Sequence, residues 1–162
     1  MTQQTRSTDV RVTVTVDAPI ERAFRVFTER WDAWWPRSYR LQAGELEGVV
    51  LEPREGGRWY ERTTDGKECD WGRVLVWDPP RHVVLAWMIG VGFVPNADPA
   101  LASRVDVTFV EDDAGRTTVT LVHSGFDRHG AGWESVRESV ANEKGGWPWI
   151  LDGYARVVDG AH

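Results

Sequence analysis

Several features that often reveal a function are scarce or missing in this chain of 162 residues. The single Cys69 excludes an intrachain disulfide. No run approaches the ~18 consecutive apolar residues of a membrane helix, and the polar stretch from Thr2 to Asp9 has no apolar signal region. The formal net charge of -6 argues against the clusters of Lys and Arg that grip a phosphate backbone. We therefore expect a cytoplasmic protein with no nucleic-acid or membrane partner.

Motifs for metals, nucleotides and nucleophilic catalysis are also missing. The four histidines are scattered and lack the H-x-x-x-H spacing of metal sites. The C-x-x-C spacing is also missing, since the chain has a single Cys. The glycine pairs Gly56-Gly57 and Gly145-Gly146 lack the lysine of a phosphate-binding loop, and Ser124-Gly125 lacks the hydrolase elbow pattern. We predict no metal, no cofactor and no catalytic set of residues.

Tryptophan is present in excess. The chain has ten Trp beside three Tyr and five Phe, more than the packing of a small core normally needs. A buried indole requires a hydrogen-bond partner for its N–H group, so burying many Trp side chains in a small core is unfavourable unless each N–H finds one. An aromatic-walled pocket would explain the excess, whereas the simpler alternative is that many of the rings are ordinary core residues.

The N-terminal part of the pattern predicts a strand followed by two short helices. Residues 10–16 alternate between Val and polar residues, which is typical of a half-buried strand. Asp17 is the expected N-cap of a helix that carries apolar residues at helical spacing, and Pro36 ends a second short helix. Residues 1–9 are expected to be a flexible tail, and residues 10–162 one domain.

The rest of the chain predicts a meander of strands and a long final helix. Turn signals such as Asp65-Gly66 separate six runs of strand character. The runs are Gly44 to Leu51, Gly57 to Thr63, Glu68 to Trp77, His82 to Ile89, Ser103 to Glu111 and Thr117 to His123. A short helix is expected near Trp133 to Asn142, and an amphipathic one begins near Trp147. These elements predict an α+β fold with an antiparallel sheet around the C-terminal helix.

Two ionisable residues are expected to face the interior. Because side chains alternate along a strand, Glu61 shares the face of Trp59, and His123 shares the face of Leu121. They are candidate ligand anchors or an acid/base pair, and the alternative is that each only satisfies a buried neighbour. The predicted cavity wall and ligand-binding site comprises Trp34, Trp35, Trp59, Glu61, Trp87, Phe109, His123, Trp147, Leu151 and Tyr154. The inward side of the strand that carries Trp71 and Trp77 stays unassigned.

Short segments in a characteristic order resemble the START-like, or SRPBCC, superfamily, within the branch named after the activator of a heat-shock chaperone's ATPase. The segments are Val14-Thr15-Val16-Asp17-Ala18-Pro19, Gly56-Gly57-Arg58-Trp59-Tyr60-Glu61, Trp71-Gly72-Arg73-Val74 with Asp78-Pro79-Pro80 and Trp87, Val107-Thr108-Phe109 and Gly146-Trp147-Pro148. The resemblance implies a helix-grip fold, in which a seven-stranded sheet and a long final helix close a hydrophobic cavity. Many members of this superfamily bind apolar molecules such as polyketides, and some are cyclases.

Within the branch, several segments are similar to self-resistance proteins against enediyne antibiotics. They are Gly57-Arg58-Trp59-Tyr60-Glu61, Phe126-Asp127-Arg128, and Lys144 to Pro148 with Ile150-Leu151. Such proteins bind the drug and are sacrificed by cleavage of their own backbone, but no cleavage site carries over to this chain. We predict that the protein binds an apolar, aromatic or polyketide-like molecule, for self-resistance or biosynthesis. The alternatives are a cyclase that uses Glu61 and His123, and a chaperone-associated protein that acts through its outer surface.

Overall fold

The structure is a computed structural model that describes residues 8–36, 38–39, 41–96 and 98–160. Residues 1–7 of the predicted tail lie outside this part of the chain. The described helices are α1 (Ile20–Glu29), α2 (Trp31–Trp34), α3 (Trp133–Ala141) and α4 (Trp147–Val158). The described strands are β1 (Val10–Val16), β2 (Leu46–Leu51), β3 (Arg58–Thr63), β4 (Glu68–Asp78), β5 (His82–Trp87), β6 (Ile89–Gly90), β7 (Val94–Pro95), β8 (Ser103–Glu111) and β9 (Thr117–Ser124).

Seven strands form one curled antiparallel sheet in the order β1-β9-β8-β5-β4-β3-β2. The helix α4 packs against β1, α1 and α2, on the side of the sheet that carries the core. This arrangement confirms the predicted α+β helix-grip fold. The two-residue strands β6 and β7 pair with each other and form a small hairpin after β5.

Two irregularities in β4 explain why its inward side could not be assigned from alternation. Trp71 is inserted opposite the Trp59–Tyr60 step of β3, and Leu75 is inserted opposite the Leu85–Val84 step of β5. Each extra residue reverses the alternation of the side chains that follow it. Trp71 is therefore buried, Leu75 points to solvent, and Trp77 returns inward to pack edge-on against Phe24.

The predicted N-cap of α1 is wrong. The helix begins at Ile20 with Pro19 in the cap position, and no side chain caps it. Asp17 instead donates its backbone N–H to the Asp159 carboxylate just after α4, at 2.7 Å. The residue therefore connects the segment between β1 and α1 to the end of α4, and it does not cap a helix.

Aromatic side chains fill most of the space between the sheet and α4. Seven tryptophans are buried: Trp31, Trp34, Trp35, Trp59, Trp71, Trp87 and Trp147. Many of their rings meet edge-on or tilted, as at Trp31 and Trp34, whose centroids are 4.4 Å apart. Such pairs contribute stability beyond the apolar area that they bury. Aromatic rings in mutual contact therefore make up much of the core between the sheet and α4. None of the described helices has the length and apolar character needed to cross a bilayer.

Candidate functional site

A pocket of about 600 Å³ lies at one end of the core and is partly open to solvent. Its sides are formed by the β6–β7 hairpin, one face of α3 and the segment between α3 and α4. Its inner wall is formed by core tryptophans. Its lining residues are Trp35, Tyr39, Trp71, Trp87, Ile89, Gly90, Gly92, Phe93, Ser135, Val136, Ser139, Val140, Asn142, Lys144, Gly145, Gly146, Trp147 and Ile150. The volume falls in the range of pockets that bind small molecules.

Four indole rings make the inner wall. Trp71 and Trp87 come from the neighbouring strands β4 and β5, and their centroids are 5.8 Å apart. Trp147 begins α4 and lies 5.7 Å from Trp87, and Trp35 lies 5.3 Å from Trp71. The rings bridge the sheet, the helix and the segment after α2. Neighbouring rings are inclined to each other by 66–84°, so the wall is apolar and angular, and an apolar molecule in the pocket would be buried against it.

The segment before α4 has room only for glycine at its last position. A Cβ atom at Gly146 would lie 2.3 Å from the carbonyl oxygen of Val140 in α3. This close approach lets the chain turn sharply between the helices and places Trp147 in the wall. The Tyr39 hydroxyl donates to the carbonyl oxygen of Gly145 at 2.6 Å and fixes the same segment from the opposite side.

The hairpin at the mouth carries an exposed aromatic residue. Phe93 has a positive φ of 61°, a conformation that is uncommon for a bulky residue. Its ring meets Trp71 edge-on at 5.6 Å while 48% of the residue stays exposed. The backbone of the hairpin therefore holds an apolar ring at the edge of the pocket, where a ligand would cover it.

Three of the ten predicted site residues line the pocket: Trp35, Trp87 and Trp147. The other seven do not line it: Trp34, Trp59, Glu61, Phe109, His123, Leu151 and Tyr154. The aromatic members of this second group pack in the core, where the Trp34 indole donates to Val26 O and the Tyr154 hydroxyl to Ala23 O. Burial raises the pKa of the Tyr154 hydroxyl far above its ordinary value. That these seven contact a ligand stays a prediction.

Glu61 faces inward and is fully buried, as the alternation predicted. Its carboxylate accepts three N–H groups: Leu41 N at 2.7 Å and Trp71 Nε1 at 3.0 Å on one oxygen, and Gln42 N at 2.9 Å on the other. A buried carboxylate is stable only when donors surround it. Glu61 therefore ties the segment after Tyr39 to the sheet and orients one indole of the pocket wall.

His123 is also fully buried and belongs to a chain of hydrogen bonds behind the wall. The Trp147 indole can only donate, so His123 Nδ1 accepts its N–H at 3.0 Å. A neutral His123 then donates from Nε2 to Ser103 Oγ at 2.7 Å, and Ser103 donates to His129 Nε2 at 2.7 Å. Burial, with a smaller effect of His129, holds the pKa of His123 well below its ordinary value. Burial, with Arg128, also lowers the pKa of His129.

Sequence reasoning missed most of the pocket's rim. Alternation does not assign a side to Trp71 because of the irregularities in β4, and Tyr39 and Lys144 lie in segments without a regular period. The polar members of α3, Ser135 and Ser139, are four residues apart and therefore share one face of the helix. That spacing was the one available signal, but without the tertiary contacts it does not indicate a pocket.

The described residues contain no cluster of His, Cys, Asp or Glu that could hold a metal ion. Neither a carboxylate nor an imidazole is among the described residues that line the pocket. The arrangement can therefore bind through aromatic surface, hydroxyl and amide groups and one ammonium group.

Comparisons with known proteins agree with the fold. A family model described as activator of Hsp90 ATPase homolog 1-like protein matches residues 17–158. The anthrahydroquino-γ-pyrone synthase Txn09 is 39% identical, with 92% of this chain and 96% of that chain covered and a TM-score of 0.65. The self-sacrificing resistance protein CalC from Micromonospora echinospora is 32% identical, with 94% of each chain covered and a TM-score of 0.66.

The Aha1 protein from Colwellia psychrerythraea shares the fold alone, at 11% identity and a TM-score of 0.62, with 94% of this chain and 97% of that chain covered. A comparison with curated protein sequences found no significant match. The family model spans nearly all of the described residues, and two similar structures exceed 30% identity over most of the chain. The chain therefore belongs to the activator of Hsp90 ATPase homolog 1-like family, the branch of the START-like superfamily that its sequence segments resemble.

Proposed function

We propose that this protein binds a planar, largely apolar aromatic molecule of the polyketide type in the pocket between α3 and the β6–β7 hairpin. The observation that carries the proposal is the wall of four indole rings in a pocket of about 600 Å³. Closing a flat ligand against this wall removes apolar surface of both partners from water, at roughly 25 cal/mol per Å². The exposed Phe93 ring would be covered in the same step.

The relatives support this choice of ligand class. Txn09 is named as a synthase of an anthrahydroquino-γ-pyrone, and CalC as a self-sacrificing resistance protein. Both names belong to those proteins, and for this chain they indicate which compounds to test first. Self-resistance against an enediyne is the finer form of the proposal, and it predicts cleavage of this chain when the ligand reacts.

A second candidate is an enzyme such as a cyclase, favoured by the 39% identity to a protein named as a synthase. Binding is the better supported function, because Glu61 and His123 lie behind the wall with their hydrogen-bonding atoms occupied by protein groups. A general acid or base must reach the proton that it transfers. Neither group reaches the pocket in this conformation.

The test is a titration followed by intrinsic Trp fluorescence, with polycyclic aromatic polyketides, fatty acids and enediyne-type compounds as the panel. Ser139→Phe places a large ring in the pocket, and Glu138→Phe places the same ring on the neighbouring exposed position of α3, which does not line the pocket. We expect saturable quenching by the polycyclic compounds, weakened at least about tenfold by Ser139→Phe alone.

Equal binding by both variants would show that the ligand binds outside this pocket. The absence of quenching by every compound of the panel would refute the binding of ligands of this class. Mass spectrometry after the titration separates the remaining possibilities. A converted ligand would favour the enzyme, and a cleaved chain would favour self-resistance.

A further inference from the structure

The charge on the pocket rim indicates a more specific ligand. Lys144 is the single ionised side chain among the described lining residues, beside Ser135, Ser139 and Asn142. The chain as a whole has 25 acidic and 19 basic residues, so a rim with a cation and no carboxylate differs in sign from the rest of the protein. Such a difference marks the charge of the group that the site favours.

The type of cation is also unusual for this chain. Of the 19 basic residues, 17 are Arg, and the two Lys are Lys67 and Lys144. Several of the arginines form ion pairs on the surface, such as Arg58 with Glu68 and Asp70. In the part of the chain that the structure describes, no carboxylate lies within ion-pair distance of the Lys144 ammonium group. Its charge is therefore available to a ligand.

The position of Lys144 relative to the indole wall defines the shape of that ligand. Lys144 lies in the segment between α3 and α4, two residues before Gly146 and three before Trp147 of the wall. The flexible stem of a lysine can follow an apolar surface while its ammonium group stays in water. A molecule whose ring system contacts the indoles and which carries its charge at its edge would meet both features at once.

We propose that the pocket selects acidic aromatic polycycles, which place the ring system on the indole wall and a carboxylate or phenolate beside Lys144. This inference rests on the proposed function and adds the charge of the ligand to it. The beginning of α4 at Trp147 adds the positive end of a helix dipole next to Lys144, which acts in the same direction. Glu143 is exposed and does not line the pocket.

The experiment uses a matched pair of probes, anthraquinone-2-carboxylate and anthraquinone-2-carboxamide, which share the ring system and differ in charge. Their dissociation constants are measured by Trp quenching at low ionic strength, for the unmodified protein and for Lys144→Met, Lys144→Arg and Lys67→Met. Lys67 lies in the exposed turn between β3 and β4, and its replacement is the control for a change in net charge.

We expect the carboxylate to bind about fivefold more tightly than the carboxamide, which is the upper end of what an ion pair at a solvated rim contributes. Lys144→Met should abolish this preference, while Lys144→Arg and Lys67→Met should keep it. Equal binding of the two probes, or a preference that survives Lys144→Met, would overturn the inference and leave the proposed function standing. Failure of both probes to bind would refute the two proposals together for this ring system.

Discussion

Replacing Glu61 by Gln tests whether the buried carboxylate is the group that fastens the segment after Tyr39. The variant keeps the shape of the side chain but removes its charge and one of its two acceptor oxygens. Gln can still accept from Leu41 N and Trp71 Nε1 with its remaining oxygen. Its amide NH₂ group then faces the N–H of Gln42, so two donors oppose each other where a hydrogen bond existed.

The expected cost follows from the three bonds. A hydrogen bond to a charged group contributes about 1.5–3 kcal/mol and a neutral one about 0.5–1.5 kcal/mol, so the two retained bonds weaken by about 1 kcal/mol each. The unpaired donor adds about 1–3 kcal/mol, and the easier burial of a neutral amide offsets part of the sum. We expect a net loss of about 3 kcal/mol, which lowers Tm by roughly 6–12 °C in a chain of this size.

Urea unfolding followed by circular dichroism measures this loss. Glu47→Gln is the matched control, because Glu47 lies exposed on the neighbouring strand β2 and should change stability by less than about 0.5 kcal/mol. Amide exchange at Leu41 and Gln42 should also accelerate in Glu61→Gln. A variant within about 1 kcal/mol of the unmodified protein, with unchanged exchange at these two amides, would refute the role assigned to the carboxylate.

Three further outcomes are expected. Because burial lowers the pKa of His123 and His129, the unfolded chain binds protons that the folded chain excludes, so stability should fall as the pH decreases from 7.5 to 5.5. Urea unfolding at both pH values checks this, and a flat profile would contradict it; His129→Gln should make the profile shallower. Trp87→Ala should abolish probe binding even under conditions where the variant is folded, although it costs about 3–5 kcal/mol in stability; normal binding would make Trp87 a core residue only. Gly72→Ala should destabilise by more than about 2 kcal/mol, since its Cβ would lie 1.8 Å from a carbonyl oxygen of β5, whereas Gly153→Ala in α4 should be tolerated or slightly stabilising, and equal melting temperatures of these two variants would contradict the packing.

The strands were predictable because their signals are local. A period of two in Val10–Val16 and Thr117–Ser124, with turn residues such as Asp65-Gly66 between the runs, places most strand ends within one or two residues of the structure. Alternation also placed Glu61 and His123 inside correctly. It failed in β4, where the inserted Trp71 and Leu75 change the parity twice.

The candidate site was predictable only in part. Three of the ten predicted residues line the pocket, and the other seven are buried beside it or behind it. Trp34, Trp59 and Phe109 are buried in the core between the sheet and α4, whereas the pocket lies at one end of that core. Residue type and face do not reveal this difference, since it depends on how the volumes of the side chains add up in three dimensions.

The sequence by itself determined the seven strands of the main sheet and their antiparallel direction, the final helix, the family and the burial of Glu61 and His123. Each of these follows from a local period or a short segment. Only the tertiary structure decided that Tyr39, Phe93 and Lys144 meet around the indoles of Trp71 and Trp87. These residues belong to a hairpin, to connecting segments and to distant strands, and their meeting depends on close approaches such as that of Gly146 to Val140, which no periodicity records.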